Sequence, residues 1–114
     1  MRHLSRPGCA SSFSRACPLD ADGGTVGVGD YAAQAAACVD NLVVALSAAG
    51  AALDNVVQTR VLVASHDQAD LVAAWEVVRD AFGAHDAPST LMGVTVLGYT
   101  DQLVELEAIA AVTA

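Results

Sequence analysis

"LVELEAIAAV", Leu103 to Val112, is apolar except for two carboxylates placed two residues apart. Strand side chains alternate between faces, so Val104, Leu106, Ala108 and Ala110 make one apolar face. Leu103, Glu105, Glu107 and Ile109 make the other. A carboxylate on a half-buried face costs on the order of several kcal/mol unless it is paired or hydrogen-bonded. Two readings are open. Both acids rim a sheet edge or a subunit seam, solvated or bonded to backbone N–H. Alternatively, one is held in a partly dry cleft to orient a water or shuttle a proton.

Upstream, "GYTD" (Gly98 to Asp101) has the form of a hairpin turn, and Pro88 opens an extended segment, Ser89 to Leu97. "VVQTRVLVA", Val56 to Ala64, is a β-branched strand. Between them a helix is expected from about Asp67 to Phe82, behind a capping box at "SHDQ" (Ser65 to Gln68), with Leu71, Trp75, Val78 and Phe82 on one stripe. An earlier helix runs from Tyr31 to Ala49, capped by Asp30 and stopped by Gly50, with Ala35, Val39, Leu42, Val43 and Leu46 inward. "DADGG" (Asp20 to Gly24) is a turn, and Thr25 to Val28 fits a short strand. The order is a ragged start, then α-β-α-β-β. This is an α+β chain: a single mixed sheet with two helices packed on one face. The hairpin sets the last two strands side by side. The other sheet face has no element left to cover it, which points to self-association.

Composition agrees. The 114 residues make one domain, residues 1–114, of which 1–15 read as irregular. The apolar fraction is 54% with 4% aromatic, more than one small Ala/Val/Leu core requires. No apolar run in the sequence reaches the length of a membrane span, so no membrane partner is expected. Net charge is −8, and from residue 16 onward 13 acids face only Arg60 and Arg79, a balance of −11. Such a body repels phosphate, so nucleic acid is not an expected partner. Cys9, Cys17 and Cys38 form no CxxC pair and fit reduced thiols in a cytoplasm. The basic, Ser-rich start resembles a transit peptide faintly, but Pro7, Gly8 and Pro18 break the helix such a peptide needs. His3, His66 and His85 are scattered without metal-ligand spacing, and His66 and His85 read as loop or cap residues. Gly93 interrupts a strand, marking close backbone approach by packing or by a ligand.

Three segments taken in order resemble the Rid family (RidA/YjgF, once called L-PSP endoribonuclease). They are "GDYAAQAAACVDNLVVALSAAGAALDNVVQTRVLVA", "DLVAAWEVVRDAFG" and "PSTLMGVTVLGYTDQLVELEAIA". The likeness runs from about Cys17 to Ala111. It implies a fold like chorismate mutase of the trimeric type, with three sheets closing into a homotrimeric barrel and clefts at the seams. It also implies hydrolysis of reactive 2-imino acids to 2-keto acids and ammonia, without metal or cofactor. In the family an Arg grips the substrate carboxylate and a Glu on the last strand orients the water. That Glu corresponds to Glu105.

The Arg does not carry over. The family's Pro-Ala-Arg-[Ser/Thr] matches Ala87 to Thr90, and Ser89 stands at the Arg position. A charge-assisted Arg–carboxylate contact is worth about 1.5–3 kcal/mol, so carboxylate binding should weaken roughly tenfold to a hundredfold. The family's Asn on the second helix aligns with Trp75, which reads as core or seam packing. The Cys after the Arg aligns with Leu91. A first-strand Tyr has no counterpart, and the start reads as truncated or mis-started. Arg15 falls where the family has a small Ser-Gly turn, a candidate substitute cation; Arg60 reads as exposed. The expectation is a Rid-type hydrolase of imines or enamines, with Glu105 catalytic and Ser89, Thr90, Leu91, Trp75 and Arg15 binding a small molecule. The alternative is a non-catalytic metabolite-binding or regulatory trimer.

Overall fold

The computed structural model describes residues 9–113. Four strands and two α-helices follow in the order β1 (Cys9–Ala16), α1 (Tyr31–Ala48), β2 (Val56–Ala64), α2 (Gln68–Phe82), β3 (Ser89–Val94) and β4 (Val104–Thr113), with a 3-10 turn at Leu53–Asn55 before β2. They form one mixed sheet of order β1-β4-β2-β3. β4 is antiparallel to both β1 and β2, and β2 is parallel to β3. Both helices cover the same face. The α+β reading with two helices on one side of a single sheet therefore holds.

Asp30 caps α1 by accepting from the Ala33 N–H, and Asp67 caps α2 by accepting from the Ala69 N–H. Ser65 makes no capping box with Gln68; its hydroxyl accepts from the Asp67 N–H and donates to Asp70 at 2.8 Å. The inward stripe of α1 is Gln34, Ala35, Cys38, Val39, Leu42 and Leu46, while Val43 is 44% exposed. On α2, Ala74 and Val78 are buried; Leu71, Trp75 and Phe82 flank them. The helices press on Ala16, Val56, Val61, Val63 and the alternating set Val104, Leu106, Ala108 and Ala110 of β4, all buried. α1 is long and apolar enough to cross a membrane, with mean hydropathy 1.3 over 18 residues, against the expectation from the sequence. Here its inward stripe is committed to the sheet, and Asp40 lies exposed on its outer side.

Three expectations are corrected. The last two strands are not a hairpin. β4 inserts between β1 and β2, and the nine residues from 95 to 103 carry the chain across the end of β2, which a two-residue turn cannot do. Residues 9–15 are not irregular: they belong to β1, which pairs with β4 along its whole length, Cys9 with Thr113 through Ala16 with Leu106. Residues 1–8 lie outside the described part. Thr25 to Val28 is no strand and gives only one bridge, between Thr25 and Leu19.

Candidate functional site

The face of the sheet away from the helices has no covering element among the described residues, and its registers order the chemistry. One row crosses all four strands as Arg15, Glu107, Arg60 and Thr90. The adjacent row holds Glu105, Leu62 and Met92. Cys17, just past the end of β1, meets Glu105 from the far side. The two acids of the opening stretch thus share the uncovered face, and the apolar alternation behind them is sealed under the helices.

Glu105 is half-buried. Its Oε1 accepts from the Cys17 thiol at 3.6 Å and from the Gln102 side-chain amide at 3.4 Å. Gln102 is itself fixed, since its Nε2 also donates to the Val104 carbonyl at 3.1 Å and its Oε1 accepts from the Tyr99 N–H at 3.1 Å. Among the described residues Oε2 of Glu105 has no hydrogen-bond partner, and it is not one of the sealed polar atoms. One oxygen is positioned and the other is available. Burial pushes the Cys17 thiol above its ordinary value of 9.0, and the adjacent Glu105 carboxylate pushes the same way. The thiol therefore stays protonated near neutrality and remains a donor to the carboxylate.

Glu107 is different. Arg60 Nη1 lies 3.5 Å from its Oε1, yet that oxygen is buried without a hydrogen bond. The attraction is Coulombic and not a directed bond. Arg15 stands opposite Glu107 on β1, so two cations flank one acid. Glu107, Arg60, Gln58, Phe13 and Ile109 line a pocket of about 130 Å³.

Ser89, Leu91 and Trp75 lie on the other side of the sheet. Ser89 pairs with Thr59, which is buried under the helices, and Thr90 pairs with Arg60 on the uncovered face. Leu91 packs against the core cluster. Ser89 and Trp75 share a pocket of about 110 Å³ with Thr59, Val78, Arg79, Phe82, Gly83, His85, Asp86 and Ala87. The Thr59 hydroxyl donates to the Ser89 hydroxyl, which donates in turn to the Ala87 carbonyl at 2.9 Å. A serine hydroxyl has one proton, so Ser89 has no donor left for a carboxylate. His85, read from sequence as a loop residue, also lines this pocket, its Nε2 donating to the Val56 carbonyl at 2.7 Å. Within one protomer the six expected site residues therefore divide: Glu105, Arg15 and Thr90 on the uncovered face, Ser89, Leu91 and Trp75 on the helix face. Gly93 resolves in favour of packing, since a Cβ there would sit 2.6 Å from the Ser65 carbonyl. No cluster of three or more His, Cys, Asp or Glu side chains fit to hold a metal occurs among the described residues.

Sequence reasoning missed Cys17 and Gln102 as partners of Glu105. Neither had a local signal: strand alternation sets residues three apart on opposite faces, and Cys17 lies 88 positions from Glu105.

The endoribonuclease L-PSP family model matches residues 10–112. None of the curated proteins matches the chain. Several solved structures do. YyfB from Yersinia pestis, described as a protein of unknown function of the conserved Rid protein family, is 31% identical; the match covers 96% of this chain and 81% of that one, with a TM-score of 0.78. Rv2704 from Mycobacterium tuberculosis, a member of the YjgF family, is 30% identical over 95% of this chain and 82% of that one, with a TM-score of 0.73. TdcF from E. coli, solved with bound serine, is 27% identical over 91% and 81%, with a TM-score of 0.74. The matched span takes in all four strands and both helices, and on that extent the chain belongs to the endoribonuclease L-PSP family, the YjgF/Rid family.

Proposed function

We propose that the protein is a Rid-type hydrolase of reactive imines or enamines, working at clefts completed between copies of the chain. The observation that carries this is Glu105: a carboxylate on an uncovered sheet face, with Oε1 held by Cys17 and Gln102 and Oε2 left open. Such a group orients a water beside a C=N bond. Oε2 takes one proton as the water oxygen bonds to carbon and passes it to the nitrogen, giving a carbinolamine. As the C–N bond breaks, the carbinolamine hydroxyl gives its proton through the carboxylate to the departing nitrogen, which leaves as ammonia, and C=O remains. No redox partner enters this balance. Arg15 and Thr90, on the same face, line the approach. Ser89 and Trp75 reach the cleft from a second copy that turns its β3 edge toward the first. The trimer follows from this reading and from the uncovered face. The bound serine of TdcF supports a small, polar, nitrogen-bearing ligand for the relative's fold. Endoribonuclease action, the name carried by the family, is disfavoured by the −11 balance from residue 16 onward.

The test is competition with semicarbazide for an imine generated in situ, such as 2-iminobutanoate or the ammonia imine of a small aldehyde. The protein should slow semicarbazone formation, and Glu105→Gln should abolish the effect. Unchanged trapping of every imine offered would leave the non-catalytic metabolite-binding trimer.

A further inference from the structure

The 110 Å³ pocket between α2 and the start of β3 has walls that select its occupant. Its hydroxyls are committed, Thr59 to Ser89 and Ser89 to the Ala87 carbonyl. The His85 Nε2–H is committed to the Val56 carbonyl. Arg79 is the one cation in the lining; its Nε and Nη2 both bond Asp80 at 3.1 Å, and Glu76 lies 4.0 Å from Nη2. Asp86 is the one carboxylate in the lining. What remains is apolar and aromatic: Trp75, Val78, Phe82 and Ala87. A carboxylate entering here would give up its hydration, meet no uncommitted cation and face the Asp86 carboxylate. An uncharged group would lose little.

Size narrows the choice. An apolar cavity of about 150 Å³ holds benzene, so 110 Å³ holds about four to five non-hydrogen atoms in proportion. We infer that this pocket binds the small, uncharged end of the ligand, an alkyl group of about four carbons, and that the substrate class is a neutral imine or enamine. The word substrate rests on the hydrolase reading; the pocket's preference does not. Ser89 is then a specificity-determining residue: its hydroxyl is turned into the protein, and the pocket is left with no uncommitted cation.

Trp75 is the single tryptophan of the chain and lines the pocket, so its emission reports occupancy. Isobutyramide and isobutyrate match in size and differ in charge. Titration of the full-length protein with isobutyramide should shift Trp75 emission saturably, at concentrations at least tenfold below those isobutyrate needs. Ser89→Arg should reverse that order. Equal or tighter binding of isobutyrate to the unmodified protein overturns the inference, as does emission indifferent to both compounds. An unreversed order in Ser89→Arg, in a variant with unaltered far-UV circular dichroism, also counts against it. The hydrolase reading fails separately, on semicarbazide trapping, whatever the fluorescence shows.

Discussion

Cys38 and Cys17 are the groups whose proton affinity the fold shifts most clearly. Cys38 on α1 is fully buried, its thiol 3.6 Å from the Val104 carbonyl. Burial pushes its pKa far above the ordinary 9.0, with Cys17 and then Glu105 adding in the same direction. Cys17 is shifted upward too. A thiol that holds its proton more tightly when folded stabilises the fold fully below the unfolded value. That contribution is lost as pH rises toward the folded value, because the unfolded chain releases protons the folded chain keeps. Urea midpoints should therefore be flat from pH 6 to 8 and fall above pH 9, at up to about 1.4 kcal/mol per pH unit per thiol. Cys38→Ala should start from a lower stability, having left a cavity, and show a shallower alkaline fall. A fall as steep as that of the unmodified protein would remove Cys38 from the account. At this scale the sequence reads unevenly. The two-residue spacing of Glu105 and Glu107 was enough to place both on one face. Their opposite fates were not legible, because the Cys17–Glu105 and Arg60–Glu107 contacts depend on registers between strands far apart in sequence. Ser89 could be recognised as missing an Arg; that its hydroxyl is already committed could not.

Elements with sharp ends were legible, and those defined only by pairing were not. Asp30 and Gly50 bracket α1, and Val56 to Ala64 announces β2 by β-branching; both match within a residue. β1 escaped because "CASSFSRA" has little hydrophobic contrast: from Ser11 to Ala16 the buried positions are Ser14 and Ala16, and the outward ones include an exposed Phe13. The pairing of β3 failed for another reason. A turn signal at "GYTD" specifies a local reversal but not which strand the chain rejoins. What sets the reversal here is Gln34, fully buried on α1. Its Nε2 donates to the Asp101 carbonyl at 2.8 Å and the Gly27 carbonyl at 3.3 Å, and its Oε1 accepts from the Leu103 N–H at 2.7 Å. One side chain thus clamps the loop that delivers Gln102 to Glu105. Gln34→Leu would leave the Asp101 carbonyl and the Leu103 N–H without partners, the Gly27 carbonyl keeping the Asp30 N–H, and should cost about 3 kcal/mol by urea denaturation. Imine hydrolysis should fall further than the lost folded fraction explains, because Gln102 loses its footing. Retained stability and activity in Gln34→Leu would show that the loop holds itself.

For the whole molecule, geometry within the chain constrains what can meet the uncovered face. Glu105 points from that face, whereas the Ser89–Trp75 pocket opens on the helix side at the β3 edge. No motion of one compact protomer brings them together, since the sheet itself lies between. A second copy can, if its β3 edge approaches the first copy's β1–β4 side. The face is suited to burial: Phe13 is 63% exposed, Ile109, Leu62 and Met92 are apolar neighbours, and Glu107 is flanked by Arg15 and Arg60. With 54% apolar residues, and four strands and two helices among the described residues to bury them, a second copy on this face would hide surface that the protomer cannot. Light scattering should therefore give a mass three times the 11.5 kDa chain. Phe13→Glu puts a charge against that seam without touching the core beneath, so it should lower the mass toward one chain while leaving the far-UV spectrum unchanged. Imine hydrolysis should be lost in step with the assembly, and recover on raising protein concentration. Full activity in a preparation that scatters as a single chain would separate Glu105 from any seam and end the cleft between copies.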